Sequence, residues 1–190
     1  PTDKHVNLQP NSSIIFMDIG IKTFKDGVQI GETTYNVGWK MKVPDEFSPT
    51  IDSIDILDVN PKSKNLGVYV QNHSKLKVDT RTTSKEGATI KNISVTVDKN
   101  TYSGQAITTK EITQSGTVEI NILVTDSRGK TASEKRTIKV EPYEIPKNIN
   151  FSADRIETDE KVVKLIYNFK MSSIANKNTC DWKIERRPRG

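Results

Sequence analysis

Every second residue from Val118 to Val124 is apolar and β-branched: Val118, Ile120, Ile122 and Val124 alternate with Glu119, Asn121 and Leu123, after Thr117. A strand turns its side chains to opposite faces with period two, whereas a helix would space its apolar residues by three and four. This segment is therefore expected to be a strand buried on one face, and no other feature limits the fold as tightly. The pattern recurs in Leu76, Val78 and Thr80, in Ile93, Val95 and Val97, and in Val163, Leu165, Tyr167, Phe169 and Met171. Composition points the same way. Ile and Val number 36 against six Leu and five Ala, and there are 20 Thr. β-Branched side chains suit a pleated surface and lose rotamer freedom in a helix. An all-β chain is expected and a helical bundle is excluded.

Turn chemistry divides these strands. Lys25-Asp26-Gly27 joins an expected strand over Ile14–Lys25 to another over 32–43, Asp98-Lys99-Asn100 and Ser103-Gly104 follow the strand of Val95, and Asn60-Pro61 ends that of Ile54 and Ile56. Asp126-Ser127-Arg128-Gly129 closes a tight hairpin into residues 131–140, with Gly129 free to take a positive φ. A weak repeat overlies the turns. Gly31-Glu32-Thr33-Thr34, Val43-Pro44 and Pro49 find echoes in Gly129-Lys130-Thr131-Ala132, Val140, Pro142 and Pro146, and Pro49 and Pro146 stand 97 residues apart. That is the length of one small β-sandwich, about 100 residues. Proline lacks the donor that a central strand needs, so Phe47-Ser48-Pro49 and Tyr143-Glu144-Ile145-Pro146 read as linkers. The expected organisation is tandem immunoglobulin-like sandwich units, one complete over 46–142. Residues 1–45 would be the C-terminal part of a preceding β module and 143–190 the start of a following one, with strands over 149–156 and 182–185.

Little chemistry can be assembled from these residues. His5 lies in a polar stretch and His73 in a turn-like tripeptide, with no second His or Cys at ligand spacing, so both are expected at the surface. Cys180 is the only cysteine, which excludes an intramolecular disulfide, and it has no imidazole near it in sequence to make it a nucleophile. Asp52, Asp55 and Asp58 suggest calcium at a junction. A calcium site takes six to eight oxygens, and no complementary acidic cluster is visible, so the favoured reading is polar positions facing water. No glycine-rich phosphate cradle and no G-x-S-x-G is present. No catalytic, cofactor-binding or metal-binding residue is assigned, and no enzymatic activity is expected. Asn11, Asn72, Asn92 and Asn150 head Asn-x-Ser tripeptides that read as chance in a Ser/Thr/Asn-rich chain.

Of a net charge of +5, Arg186, Arg187 and Arg189 supply three. The rest carries interleaved signs, unlike the basic stripe of a nucleic-acid binder. No apolar run approaches the ~18 residues of a membrane span, and the polar stretch from Pro1 to Asn7 is not expected to be a secretion signal. A start without Met reads as a processed product or a piece excised from something longer, the second being favoured. Tyr35, Trp39, Tyr69 and Tyr102 could stack on sugars if exposed, or pack in a core.

The run Thr125-Asp126-Ser127-Arg128-Gly129-Lys130-Thr131-Ala132, followed by Tyr143 and Pro146, resembles the repeated module of minor tail proteins of siphophages of Gram-positive hosts. Gly67-Val68-Tyr69-Val70-Gln71 through Ser74-Lys75-Leu76 is similar to that module's Tyr-Val-Gln … Ser-Lys-Leu stretch, and Val97-Asp98, Tyr102-Ser103-Gly104 and Ser115-Gly116 continue the likeness. The resemblance spans nearly the whole chain and is densest over 50–146. It implies a virion tail-tip or host-attachment protein of a phage or prophage, with other tail proteins and host cell-surface polysaccharide as partners and with self-association in the virion. It brings no catalytic residues. Two other readings stay open: the stalk of a bacterial surface adhesin and an accessory carbohydrate-binding module.

Overall fold

The computed structural model describes residues 2–181 and residue 183. Its described residues are nearly all β. A five-residue helix α1 (Asp3–Asn7) leads into β1 (Ile14–Lys25) and β2 (Val28–Lys42). There follow β3 (Thr50–Asp58), the two-residue β4 (Tyr69–Val70), β5 (Lys75–Thr83), β6 (Ile90–Val97), β7 (Asn100–Ser103) and β8 (Ala106–Glu111). Then come β9 (Gly116–Asp126), β10 (Thr131–Glu141), β11 (Lys147–Ile156) and β12 (Asp159–Lys170). The strands form four sheets, in the orders β1-β2, β3-β5-β8, β4-β10-β9-β6-β7 and β11-β12. β6 runs antiparallel to β7 and to β9, whereas β4 pairs parallel to β10 through Val140↔Tyr69 and Glu141↔Val70.

The expected alternations mark the core of this β-sandwich. Val118, Ile120, Ile122 and Val124 are at most 1% exposed while Leu123, between them, is 45% exposed. Leu76, Val78 and Thr80 of β5 and Ile93, Val95 and Val97 of β6 are buried in the same way. By its contacts the chain falls into two compact units. One is Pro1–Ile56 with Lys77–Thr108 and Glu119–Arg136; the other is Leu57–Leu76 with Thr109–Val118 and Thr137–Gly190. Each unit buries residues from the three-stranded and the five-stranded sheet, Val78 with Val95 and Ile120 in the first, Leu76 with Val118 and Val140 in the second. The first unit adds a cluster of Val6, Ile15, Val43 and Phe47, with Met17 and Met41 packed against it.

The turns are those the sequence supplies. Asp26 and Gly27 have φ of 50° and 80°, and Asp98 and Lys99 have 47° and 63°, so both are two-residue turns whose twist matches their strands. A two-residue turn lets β2 resume at Val28, four residues earlier than the sequence reading placed it. Both proline segments lie outside strands: Asp45–Phe47 forms a single 3-10 turn, and 142–146 is irregular.

At β12 the alternation has a different meaning. Val163, Leu165 and Phe169 are 51%, 37% and 41% exposed, and Val162 and Ile166 on the other face are exposed as well. Among the described residues the strand pairs with β11 alone, so its pattern there does not mark a buried side. The strand expected over 182–185, like Trp182, Arg186, Arg187 and Arg189, lies outside the described residues apart from residue 183.

Candidate functional site

The titratable side chains are dispersed into local structure. His5 sits in α1 with Nδ1 2.7 Å from Thr2 Oγ1, closing the helix's first turn. His73 is not a free surface group. It is half-buried, with Nδ1 3.1 Å from the Gln71 carbonyl and its ring edge-on to Tyr143, centroids 4.5 Å apart. Cys180 is half-buried beside a cavity of about 190 Å³ lined also by Tyr143, Met171 and Ile174. Among the described residues, no three His, Cys, Asp or Glu side chains come together as metal ligands.

The three aspartates of β3 separate by role. Asp55 is exposed. Asp52 is exposed too and accepts hydroxyl hydrogen bonds from Thr50 and Thr83 at 2.8 and 2.6 Å. The Thr83 bond, then that of Thr50, holds its carboxyl below the usual range. Asp58 corrects the water-facing reading, for it is half-buried and organises a loop. Its Oδ2 accepts from the Ser63 and Ser74 hydroxyls, each at 2.6 Å, and its Oδ1 from the backbone N–H of Asn60 and of Lys75 at 2.9 and 3.2 Å. Burial first, and the Asp58 charge second, push the Tyr69 phenol up.

Sequence reasoning missed the most elaborate constellation, at the β9–β10 hairpin. Buried Asp126 accepts from the N–H groups of Arg128 and Lys130 at 2.9 and 2.8 Å, which sets the turn, and Gly129 completes it at φ 80°. Arg128, 5% exposed, is thereby aimed at backbone carbonyls. Its Nε donates to Gln9 at 3.1 Å, Nη1 to Lys85 at 2.9 Å, and Nη2 to Val6 at 3.2 Å and to Glu86. The Ser127 hydroxyl donates to the Pro10 carbonyl at 2.5 Å. Gly87 has φ 74°, and a Cβ there would meet the Asn7 side chain, so glycine avoids both the backbone strain and a shift of Asn7.

The first proline segment is tied to the same region. Lys130 Nζ donates to Asp45 Oδ1 at 2.6 Å, Lys85 Nζ donates to the Glu46 carbonyl at 2.7 Å, and Phe47 is 8% exposed in the N-terminal cluster. The hydrogen bond from Lys130, then its charge, holds the Asp45 carboxyl below its usual range. The second segment has its own ties. The Tyr143 N–H donates to Gln71 Oε1 at 3.2 Å, the Glu144 N–H to Ser172 Oγ at 2.7 Å, and the Tyr143 ring meets His73. The sequence signal for all this was confined to the proline and aromatic residues of the linkers.

Apolar surface gathers on the two-stranded ribbons. On β1–β2, Ile19 stands opposite Tyr35 and Ile21 opposite Thr33 on one face, and beyond a register shift Met17 stands opposite Trp39. Tyr35 and Trp39 are 55% and 57% exposed, whereas Tyr69 and Tyr102 are half-buried.

Alternating buried strands, pinned proline segments and exposed ribbon faces define an all-β chain built around a sandwich. A family model described as siphovirus protein of unknown function, DUF859, matches residues 2–183, and the chain belongs to that family. It is thus a siphovirus protein, in keeping with a structural component of the virion. No curated protein and no solved structure matches it.

Proposed function

We propose that the chain is a non-enzymatic structural and adhesive module of a phage tail tip, a stiff string of immunoglobulin-like units that spaces or presents a host-receptor-binding part. The observation that carries the reading is the pinning of both proline segments. Proline fixes its own φ and drives the preceding residue toward an extended backbone. Here each segment also has an aromatic ring packed and hydrogen bonds to residues distant in sequence, Phe47 with Asp45 and Glu46 in one, Tyr143 with Glu144 in the other. A spacer needs such joints, because a floppy string dilutes the effective concentration of whatever it presents. A multi-domain binder that works by flexible search gains more from Gly/Ser linkers. The partners in this reading are other tail proteins and host cell-surface polysaccharide, with no role for nucleic acid or membrane insertion.

Two measurements test it. Antibodies against the chain should decorate the tail tip of intact virions in negative-stain images and block adsorption; decoration of the capsid would remove the tail assignment. Spin labels at Thr101 and Asp154, introduced as cysteines in a Cys180→Ser background, should give a narrow distance distribution. It should broaden in Tyr143→Ser with Pro146→Gly. If the unsubstituted chain is already as broad, the joints are hinges and the spacer mechanism is wrong.

A further inference from the structure

Within the first compact unit, the outer faces of the two sandwich sheets are dressed differently. On β5, Lys77, Asp79 and Arg81 alternate with buried Val78 and Thr80, so the outside of the three-stranded sheet is charged. On the outside of the five-stranded sheet, the register brings short uncharged side chains together. Ser94 of β6 stands between Leu123 of β9 and Ser103 of β7, and Thr96 stands between Asn121 and Thr101. They alternate with the buried Val95 and Val97 of β6 and Ile120, Ile122 and Val124 of β9. Ser133 and Lys135 of β10 continue this face, and with Ser94, Thr96, Asn121 and Leu123 they line a groove of about 510 Å³. Its two charged side chains are already paired, Lys135 with Glu119 at 3.0 Å and Glu134 with Arg136. No aromatic ring is among the lining residues.

We propose that this groove binds a neutral glycan, laid across β6, β9 and β10. The occupant follows from what the face offers and what it lacks. Hydroxyls and a carboxamide can each donate and accept, which suits a polymer that presents hydroxyl groups along its length. Leu123, 45% exposed among them, gives the C–H face of a sugar ring an apolar spot to rest on. An anionic polymer would meet no free cation in the groove, because Lys135 is held by Glu119. A protein partner calls for an apolar centre with aromatic or Arg anchors, and a single Leu does not supply one. Short Ser and Thr side chains also cost less to fix against a ligand than long charged ones. Without a ring to stack on, one groove binds weakly, and firm adhesion needs several presented together. The inference takes from the tail-tip reading only that a host polysaccharide is met. It narrows that partner to an uncharged one and places the contact on a sheet face, away from the exposed Tyr35 and Trp39.

Amide chemical-shift mapping on the isotope-labelled chain tests it. The probes are neutral tetrasaccharides of glucose, galactose, rhamnose and N-acetylglucosamine, with poly(glycerol phosphate) as the anionic counterpart. At least one neutral probe should move the amides of Ser94, Thr96, Asn121 and Ser133 saturably, with a Kd in the millimolar range, and the polyanion should not. Asn121→Ala with Ser133→Ala should weaken that binding at least ~10-fold. Lys77→Ala with Arg81→Ala, on the charged face, should leave it unchanged. All four positions are exposed, and unchanged amide spectra elsewhere confirm that both variants fold. No saturable shift at the groove with any of the sugars up to about 20 mM overturns the proposal. So does an equal or larger effect of the polyanion, or undiminished binding in the Asn121 and Ser133 variant. Shifts confined to Tyr35 and Trp39 would also overturn it, while keeping a polysaccharide as partner. Silence from every probe would remove the glycan and leave the place of the chain in the tail to the antibody test.

Discussion

Arg128 places a guanidinium where water cannot reach it and satisfies it with four backbone carbonyls. Hydrogen bonds to a charged group are worth about 1.5–3 kcal/mol each, and a buried acceptor left unpaired costs about 1–3 kcal/mol. Arg128→Met keeps the aliphatic stem and removes the donors. It should lower stability to urea by about 2–4 kcal/mol and speed amide exchange in α1; a loss under about 0.5 kcal/mol would mean the carbonyls find water instead. Asp45 gives a pH test at the same scale. Its lowered carboxyl pKa means that the tie to Lys130 is fully present above the ordinary value of 3.8 and is lost as pH falls through the folded value. A carbon-detected titration of Asp45 should therefore show a midpoint below 3.8 that returns to the ordinary range in Lys130→Ala. None of this could be read from the chain. Asp126-Ser127-Arg128-Gly129 announces a turn through its Asp and Gly. Two of the carbonyls that Arg128 meets lie over a hundred residues upstream, at Val6 and Gln9, and the other two, at Lys85 and Glu86, lie on another loop; local turn chemistry carries no record of any of them.

At the scale of elements, turn chemistry and alternation were legible wherever a strand has one wet face and one dry face. β1 runs over the residues its pattern indicates, and Val118 to Val124 alternate in burial as in sequence. The pattern misleads at β12, because alternation reports side-chain direction and not whether anything lies opposite. It fails at β3 for another reason. Asp52, Asp55 and Asp58 look equivalent in sequence, and only the return of Ser63, Ser74 and Lys75 to Asp58 separates it from the others. Asp58→Ala strands two hydroxyls and two N–H groups, and should cost about 2–3 kcal/mol in urea unfolding, where Asp55→Ala should cost less than ~0.5 kcal/mol. The β6–β7 turn tests the opposite sign. Lys99 holds φ 63°, a left-handed conformation that costs a residue with a Cβ about 1–2 kcal/mol. Lys99→Gly relieves it against a greater loss of chain entropy, for a net gain of about 0.5–1 kcal/mol in the same assay. A destabilised variant would show that the side chain contributes something the turn geometry does not reveal.

Across the whole molecule, stability should follow burial and not strand length. The longest strands, β2 with 15 residues and β1 and β12 with 12 each, lie in two-stranded ribbons, while β6, with eight, sits in a five-stranded sheet and carries three of the buried residues. A backbone hydrogen bond in a ribbon opens at the cost of a few exposed side chains. One beneath Val95 or Ile120 opens only when the core does. Native-state hydrogen exchange at low concentration should therefore rank the amides in two tiers. Those of Val95, Ile120 and Ile122 should exchange near the global limit, and those of Ile21, Thr33, Val163 and Leu165 at least ~100-fold faster. If the ribbons exchange as slowly as Val95 in dilute solution, they are stable elements in their own right. Burial would then not be what ranks the amides.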